Sequence, residues 1–437
     1  MTELSTSSPN KNWQAILAFL MHLVLFAMVL TLNSSKAVLS VGWISLIGLS
    51  VIYRVLDRSL WKTLSQSIWV PALLLMGLWA LATLTGIGVE DVDLWKRDIR
   101  TKMPFLWLPL AIWLMPPLSS RQLRWLSLGF IASQAFWAIL TLINLARDYE
   151  AQMLRVQQNG NIDVPGSISH IYFGVLLAFA VLLGLYLLLH QRRQFPTWGR
   201  WLIGGAALLC FITLHILNSR TAQVSLYAGL AVFIAAEVVE RKAFRAGVLA
   251  LVMLLSTPVA AYFTVPSFRV RVQVTIWDFQ QSEQGGGNLA DNSLSTRRVG
   301  WRAAWEVGKA NPIVGVGLED LRAEMVKRYE EWGLELPDPI PTRLKVPHNL
   351  YLKYWAGAGI PGVLLLLGLL LFPLFVRKKP YPSLLYGFLA LMGIGFCFEN
   401  ILERQIGIIF FILTYLYLLP RKGQDGNDPV TGQINEK

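Results

Sequence analysis

The sequence predicts an all-α polytopic membrane protein with about 12 transmembrane helices and one large loop domain outside the membrane. Three observations lead to this fold class. The 437 residues are 54% hydrophobic and 15% charged, with a mean hydropathy of +0.48, which is too apolar for a soluble chain of this length. The apolar residues form separate runs of roughly 20 residues, enough to cross a hydrocarbon core about 30 Å thick. Lysines and arginines flank these runs.

Twelve apolar runs are the predicted spans, and the second and fourth are the shortest. In chain order they lie at 13–32, 38–53, 67–87, 104–118, 126–146, 171–190, 201–218, 221–239, 246–265, 354–376, 382–400 and 405–420. The predicted organisation is therefore spans 1–9 in residues 1–265, a loop domain in 266–353, spans 10–12 in 354–420, and a polar tail in 421–437.

The positive charges predict that both termini lie in the cytoplasm. With this orientation every inside loop is basic, whereas the short outside loops are poorer in cations. One outside segment disagrees, because "EDVDLWKRDIRTK" carries four cations diluted by acids. Membrane anchoring therefore explains the net charge of +12 better than nucleic-acid binding does. The inside cations are Arg54, Arg58 and Lys62; Arg121 and Arg124; Arg192, Arg193 and Arg200; Arg241, Lys242 and Arg245; Arg377, Lys378 and Lys379; and Arg421 and Lys422.

The loop domain is the only outside segment of domain size. It contains a flexible patch, "SEQGGGNLADNS", and two helices are predicted after it. "TRRVGWRAAWEVGKANP" ends at a proline, and "LEDLRAEMVKRYEEWG" has apolar residues at helical spacing and stops at Gly333. The following "LPDPIP" predicts a turn-rich extended stretch.

His348 is the first candidate for chemistry, because it stands where the loop domain meets the tenth span. An imidazole there can act as a general base, and Asn349 beside it can bind a ligand. The alternative is a helix-capping asparagine next to a surface histidine. His170 opens the sixth span and can line the same outer cavity. Glu399 and Glu403 are expected to pair with arginine in a structural role.

Arginines gather on the same predicted side of the membrane. An arginine at membrane depth is costly and marks a function, a partner or a wet cavity, which applies to Arg220 in "HILNSRTAQ". Arg269 and Arg271 follow in "VPSFRVRV", where an extended backbone would place both on one face. Paired guanidinium groups fit phosphate or pyrophosphate oxygens, and the alternative is anchoring to anionic lipid headgroups. Further arginines in the loop are Arg297, Arg298 and Arg302.

Two motifs in this topology carry a resemblance to a known family. They are "RRVGWRAAWEVGKANPIVGVGLED" and "PHNLYLKYWAGAGIPG", which join Arg-x-x-x-Trp, Asn-Pro and Gly-x-Gly to His-Asn and Gly-x-x-Gly. The sequence resembles the O-antigen ligase superfamily, which includes O-antigen ligases, O-antigen polymerases and some protein O-oligosaccharyltransferases. The resemblance implies a GT-C-like glycosyltransferase of the bacterial inner membrane whose active site faces the periplasm.

The resemblance also implies a reaction and its residues. Such ligases transfer a glycan from undecaprenyl pyrophosphate to a sugar hydroxyl of lipid A–core, without a metal, ATP or other cofactor. His348 would be the base, and Arg220 with either Arg269 or Arg271 would bind the donor pyrophosphate. The residues expected to support them are Asn349, Arg298, Arg302 and His170. No carboxylate pair stands out for a covalent intermediate, so inversion at the anomeric carbon is expected.

Three alternatives remain open at the level of sequence. A polymerase would use the same lipid-linked donor and differ only in its acceptor. A protein O-oligosaccharyltransferase would be expected to carry a longer soluble C-terminal part than "RKGQDGNDPVTGQINEK". A transporter or flippase is expected to show paired half-repeats, which the sequence lacks.

Overall fold

The computed structural model describes residues 9–56, 68–158, 160–166, 168–217, 219–283, 293–376 and 382–419, and these contain sixteen α-helices. The predicted tail at 421–437, most of the patch "SEQGGGNLADNS", and the cations Arg58, Lys62, Arg377, Lys378, Lys379, Arg421 and Lys422 lie outside the described residues. The helices are α1 (Pro9–Leu30), α2 (Lys36–Leu56), α3 (Trp69–Leu84), α4 (Val92–Leu114), α5 (Ser120–Arg147), α6 (Tyr149–Gln157), α7 (His170–His190), α8 (Thr197–Ile216), α9 (Arg220–Arg241), α10 (Phe244–Thr264), α11 (Pro266–Glu283), α12 (Ser293–Ala310), α13 (Leu321–Glu331), α14 (Leu350–Phe375), α15 (Pro382–Phe398) and α16 (Gln405–Leu418).

Every predicted span falls on one of these helices. Within the described parts of the chain, eight helices are long and apolar enough to cross a membrane, namely α1, α2, α5, α7, α8, α9, α10 and α14. Three further predicted spans form the shorter apolar helices α3, α15 and α16. The fourth predicted span is only the apolar half of α4. The structure therefore supports a polytopic all-α membrane protein, and the number twelve stays a prediction.

The helices α7, α9, α15 and α16 form the centre of the bundle. Most residues of α7 and α16 are buried, so both helices are apolar on all sides. The helices α9 and α15 approach each other closely at Gly229 and Gly387. A Cβ atom on either glycine would come within 3.0–3.1 Å of the carbonyl oxygen of the other. Small residues at a helix crossing allow this approach in a membrane, where packing replaces the hydrophobic driving force.

The helix α14 is broken one turn before its long apolar part. Gly359 has φ 63° and ψ −154°, a conformation that favours glycine. Pro361 has no N–H group, so the carbonyl of Gly357 loses its helical partner. The backbone N–H of Gly317 donates to that carbonyl at 2.9 Å. The carbonyl group freed at the break is thus hydrogen-bonded by a segment from outside the helix.

The loop after α12 makes two more backbone hydrogen bonds across the same break. Val316 N donates to Ala356 O at 3.0 Å, and Ile360 N donates to Pro312 O at 2.9 Å. Gly315 lies so close to α14 that a Cβ atom there would come within 2.4 Å of the helix backbone. The Asn-Pro/Gly-x-Gly motif and the Gly-x-x-Gly motif are therefore two hydrogen-bonded segments of one structural unit.

The loop domain has a small core of its own, as its predicted helices require. The helices α12 and α13 occupy the two predicted positions, and Gly333 with φ 66° follows the second. The hydroxyl of Tyr329 donates to Leu344 O at 3.0 Å and connects α13 to the short 3₁₀ turn Thr342–Leu344. The buried residues of this core are Ala303, Ala304, Val307, Leu321, Met325, Tyr329, Leu344 and Ala356.

The segment "VPSFRVRV" is helical, so the prediction of an extended backbone is wrong. Pro266 begins α11, where its fixed φ suits the first helical turn and its missing N–H costs nothing. In a helix, residues two apart point in roughly opposite directions, about 200° apart. Arg269 and Arg271 therefore do not share a face.

One of the four cations in the segment that breaks the charge rule belongs to a buried ionic network. Lys102 of α4 is completely buried, 2.6 Å from Asp98 and 3.2 Å from Glu403. Lys353 of α14 lies 2.5 Å from the same Glu403 oxygen. We call these four residues the lysine network. The network links α4 and α14 through Glu403, whereas the other three cations of the segment are exposed. Glu403 was expected to pair with an arginine, and its partners are two lysines.

Candidate active site

The backbone fixes His348 at the junction of the loop domain and α14. Asn349 is the N-cap of α14, and its Oδ1 accepts a hydrogen bond from Leu352 N at 3.0 Å. The capping alternative for Asn349 is thus confirmed. His348 itself has φ 48°, a left-handed conformation that few residues other than glycine adopt and that is common at functional sites. Its side chain is 23% exposed, so it is neither a core residue nor a free surface residue.

Glu399 orients the imidazole of His348. His348 Nδ1 lies 3.2 Å from Glu399 Oε1. Burial alone would raise the pKa of Glu399, but the hydrogen bond from His348 and the charge of Arg297 outweigh it and hold that pKa below its ordinary value. An ionised carboxylate only accepts hydrogen bonds, so geometry assigns the proton to Nδ1 and leaves the lone pair on Nε2. This is the tautomer that a general base needs.

Arg220 begins α9 and contacts α11. Its Nη1 donates to Thr275 Oγ1 at 2.9 Å and lies 3.9 Å from Asp278 Oδ2. Burial raises the pKa of Asp278, and the charges of Arg220 and Arg271 oppose that shift. The guanidinium at the start of α9 is therefore held by one polar neighbour and one acidic neighbour on a single helix.

Arg271 is the arginine of "VPSFRVRV" that turns inward, with 4% of its surface exposed. Its Nη2 donates to Gly160 O and to Asn161 Oδ1, the latter at 3.2 Å. Burial lowers the pKa of Arg271 to about 10, and the nearby charge of Arg220 adds to the shift. The group remains a cation at neutral pH. Its position is set by the segment between α6 and α7.

Arg297 of α12 connects the arginines to the histidine. Its charge acts on Arg220 and on Glu399, and burial lowers its own pKa while Glu399 opposes the shift. His170 interacts electrostatically with Arg271, Arg297 and Glu399. The structure thus assembles one group of side chains from six helices or their ends. We call it the active-site cluster: His348, Glu399, Arg297, Arg220, Arg271 and His170.

Three predicted residues lie outside this cluster. Arg269 is exposed and donates to the carbonyls of residues 262 and 263 at the end of α10, at 3.1 and 2.9 Å. Arg298 is exposed on the outer face of α12. Arg302 stacks on Trp332 with 4.3 Å to the ring centroid, and pairs with Glu306 at 3.2 Å. Only Arg271 of the two donor-site candidates therefore reaches the cluster.

A polar cavity of about 480 Å³ adjoins the cluster. It is lined by His170 and by Gly160 and Asn161, the two partners of Arg271. Asp163 and Arg155 form an ion pair in its wall. Many hydrogen-bonding groups around a cavity of this size suit a ligand rich in hydroxyl groups.

Residues 205–367 match the family model for O-antigen ligase. The match covers less than half of the chain and confirms, for that part, the resemblance predicted from the two motifs. It includes Arg220, Arg271, Arg297 and His348 and ends within α14. No curated protein matches the chain. The match indicates a membrane-bound glycosyltransferase of the O-antigen ligase and polymerase type.

The matched region contains His348 and the three arginines of the cluster, and the rest of the chain completes their surroundings. Glu399 follows α15, and His170 and the polar cavity belong to the segment before and at the start of α7. Among the described residues, no group of three or more histidine, cysteine or acidic side chains is arranged to hold a metal ion. The cluster itself contains two imidazoles, one carboxylate and three guanidinium ions, which can move a proton and bind an anion.

Proposed function

We propose that the chain transfers a glycan from undecaprenyl pyrophosphate to a sugar hydroxyl of lipid A–core, at the periplasmic face of the inner membrane. The observation that carries this proposal is the meeting of the His348–Glu399 pair with Arg220, Arg271 and Arg297. The family match over residues 205–367 supports the reaction class. Membrane lipid surrounds the enzyme, and nucleic acid has no role.

The base in this reaction is His348. Its Nε2 takes the proton of the acceptor hydroxyl as that oxygen attacks the anomeric carbon. The carbon–oxygen bond to the pyrophosphate breaks, and undecaprenyl pyrophosphate leaves. Glu399 stabilises the imidazolium through Nδ1, as a carboxylate does in other histidine-based sites. Every proton and electron pair is accounted for without a further reactant.

The donor pyrophosphate binds to the arginines. Its negative charge grows as the bond to the sugar breaks, and fixed cations lower the free energy of that state. Guanidinium groups pair with two phosphate oxygens at once, which a lysine cannot do. Arg271 suits this role because its backbone and amide partners hold it in place before the donor arrives. Arg220 and Arg297 add the remaining charge.

A single displacement inverts the anomeric configuration. The two carboxylates nearest the cluster are already engaged, Glu399 with His348 and Asp278 with Arg220. A direct attack by the acceptor is therefore favoured over a covalent glycosyl intermediate. We expect a product whose anomeric configuration is opposite to that of the donor, measured by nuclear magnetic resonance coupling constants. A product that retains the donor configuration would contradict this step.

In vitro transfer with defined substrates tests the proposal. The purified protein is mixed with a lipid-linked oligosaccharide and lipid A–core, with no nucleotide added. We expect glycan attached to the core. Chain growth on the lipid carrier, with the donor alone, would instead identify a polymerase. Transfer to a protein acceptor would identify a protein O-oligosaccharyltransferase, and movement of the donor across the membrane without a covalent product would identify a flippase.

A deletion strain gives an independent answer in the cell. Loss of a ligase leaves bare lipid A–core and polymer stranded on the carrier lipid. Loss of a polymerase leaves core that carries a single repeat. A gel of the extracted lipopolysaccharide distinguishes the two patterns.

A further inference from the structure

A second cavity, of about 440 Å³, lies at the end of the bundle opposite His348. The helix α7 runs from His170 in the active-site cluster to His190 at this cavity, about 30 Å at 1.5 Å per residue. The helix α15 runs the other way, from Pro382 at the cavity to the residue before Glu399. The cavity is therefore remote from the base, the arginines and the proposed donor.

The walls of this cavity are mostly apolar. Its walls include Leu126 and Phe130 of α5 and Phe179 and Leu183 of α7, all of them buried. Along α7 it extends from His190 to Phe179, which is about 16 Å and half the thickness of the hydrocarbon core. An apolar channel of that depth matches one hydrocarbon chain entering from the membrane surface.

The rim of the cavity is polar and contains unsatisfied groups. Arg124 Nε and Gln191 Oε1 are buried, and neither has a hydrogen-bond partner in the described structure. One is a donor and the other an acceptor, and a buried polar group left unpaired destabilises the fold. The nearby carboxylate of Glu237 is occupied by His190 at 2.6 Å and by Arg241 at 2.7 Å. Arg124 is therefore available to an anion that the protein does not supply.

We propose that this cavity binds one glycerophospholipid of the surrounding membrane. One acyl chain fills the channel between α5 and α7, and the phosphate accepts hydrogen bonds from Arg124. A headgroup hydroxyl or ammonium donates to Gln191 Oε1, and exposed Glu240 at the rim favours a headgroup that carries such a donor. The lipid satisfies both unpaired atoms and fills apolar space that water would not fill.

Native mass spectrometry of the full chain tests this site. The protein is released from vesicles of equal parts phosphatidylethanolamine and phosphatidylglycerol, and retained lipid is counted. We expect one phospholipid per chain. Arg124→Gln should lower its occupancy about tenfold, as expected for a charged hydrogen bond. The matched control is Arg121→Gln, an exposed arginine one turn earlier on α5 that does not line the cavity, and it should retain the lipid.

A second variant tests the channel rather than the rim. Leu183→Trp fills the space of the acyl chain while leaving Arg124 in place, and it should also lower lipid occupancy. Equal retention in Arg124→Gln and Arg121→Gln would overturn the proposal. So would retention of an isoprenoid lipid instead of a phospholipid, or displacement of the lipid by inorganic phosphate. If the Leu183→Trp protein fails to fold, the comparison of Arg124→Gln with Arg121→Gln still decides the question.

Discussion

The active-site cluster and the lysine network lie at the same end of the bundle and differ in charge balance. In the lysine network, two buried lysines share Glu403, and Lys102 also pairs with Asp98. In the active-site cluster, among the residues that the structure describes, three arginines act on two carboxylates, Glu399 and Asp278, and Glu399 is also bonded to His348. A balanced network holds helices together. An excess of positive charge, by contrast, favours binding of an anion from outside the protein. Charge balance therefore distinguishes a binding site from a structural network better than burial does.

The largest effect should come from the base. His348→Ala removes the group that takes the proton, so transfer should fall about 10²- to 10⁴-fold. The fold should survive, because His348 lies at a partly exposed junction and is absent from both buried cores. The measurement is single-turnover transfer with the lipid-linked donor, together with the unfolding midpoint in detergent. Transfer within tenfold of the wild type would remove His348 from the reaction.

The next effect distinguishes the two arginines of α11. Arg271→Lys keeps the charge but loses the fork that pairs with phosphate, so transfer should fall about 10²-fold. Arg269→Lys, two residues earlier on the opposite face, is the matched control and should be near normal. The readout is the rate at saturating acceptor for both variants. If both variants lose equal activity, the assignment of Arg271 rather than Arg269 to the active-site cluster is wrong.

Breaking the lysine network should change stability more than chemistry. Glu403→Gln leaves two buried lysines without their shared carboxylate and should destabilise the fold by about 3 kcal/mol. Transfer by the remaining folded protein should change by less than about fivefold. Unfolding midpoints and rates per folded molecule separate the two quantities. A normal midpoint with a lost reaction would place Glu403 in the active site.

The smallest effect concerns the pH dependence of stability near the lysine network. Burial raises the pKa of Glu319 to about 7 from an ordinary 4.5, and the charge of Lys353 opposes the shift. The folded protein then binds more protons than the unfolded chain between those values, so stability falls as pH rises from about 4.5 to 7. Glu319→Gln cannot ionise, and the loss, of order 2 kcal/mol, should disappear. Unfolding midpoints at pH 5 and pH 8 measure it, and an unchanged difference would contradict the assignment.

Hydropathy could predict where the apolar helices lie, because a run of apolar residues has few other stable conformations in a membrane. It failed at α11, whose alternating arginines and valines suggest an extended strand, because Pro266 and the end of α10 set a helical start. It also missed the short helix α6. The sequence carries no hydropathy signal that separates such amphipathic helices from loops.

Residue type could predict His348, Arg220 and one inward arginine of α11, but not which neighbour turns inward. Arg297 and Arg298 are adjacent and chemically identical, and only the rotation of α12 points the first toward Glu399. Glu399 was expected to pair with an arginine. Its contact with His348 joins residues 51 positions apart, a proximity that spacing in one sequence cannot reveal.

The hydrogen bonds across the break in α14 have a consequence for how this enzyme class can vary. Residues 318–347 form a segment that begins after Gly317, which donates a hydrogen bond to α14, and ends before His348, which directly precedes α14. Both ends of this segment are therefore anchored at the first two turns of α14. Insertions or exchanges within it would leave the base where it is. A segment of this kind can be rebuilt for a new partner while the backbone geometry around His348 stays unchanged.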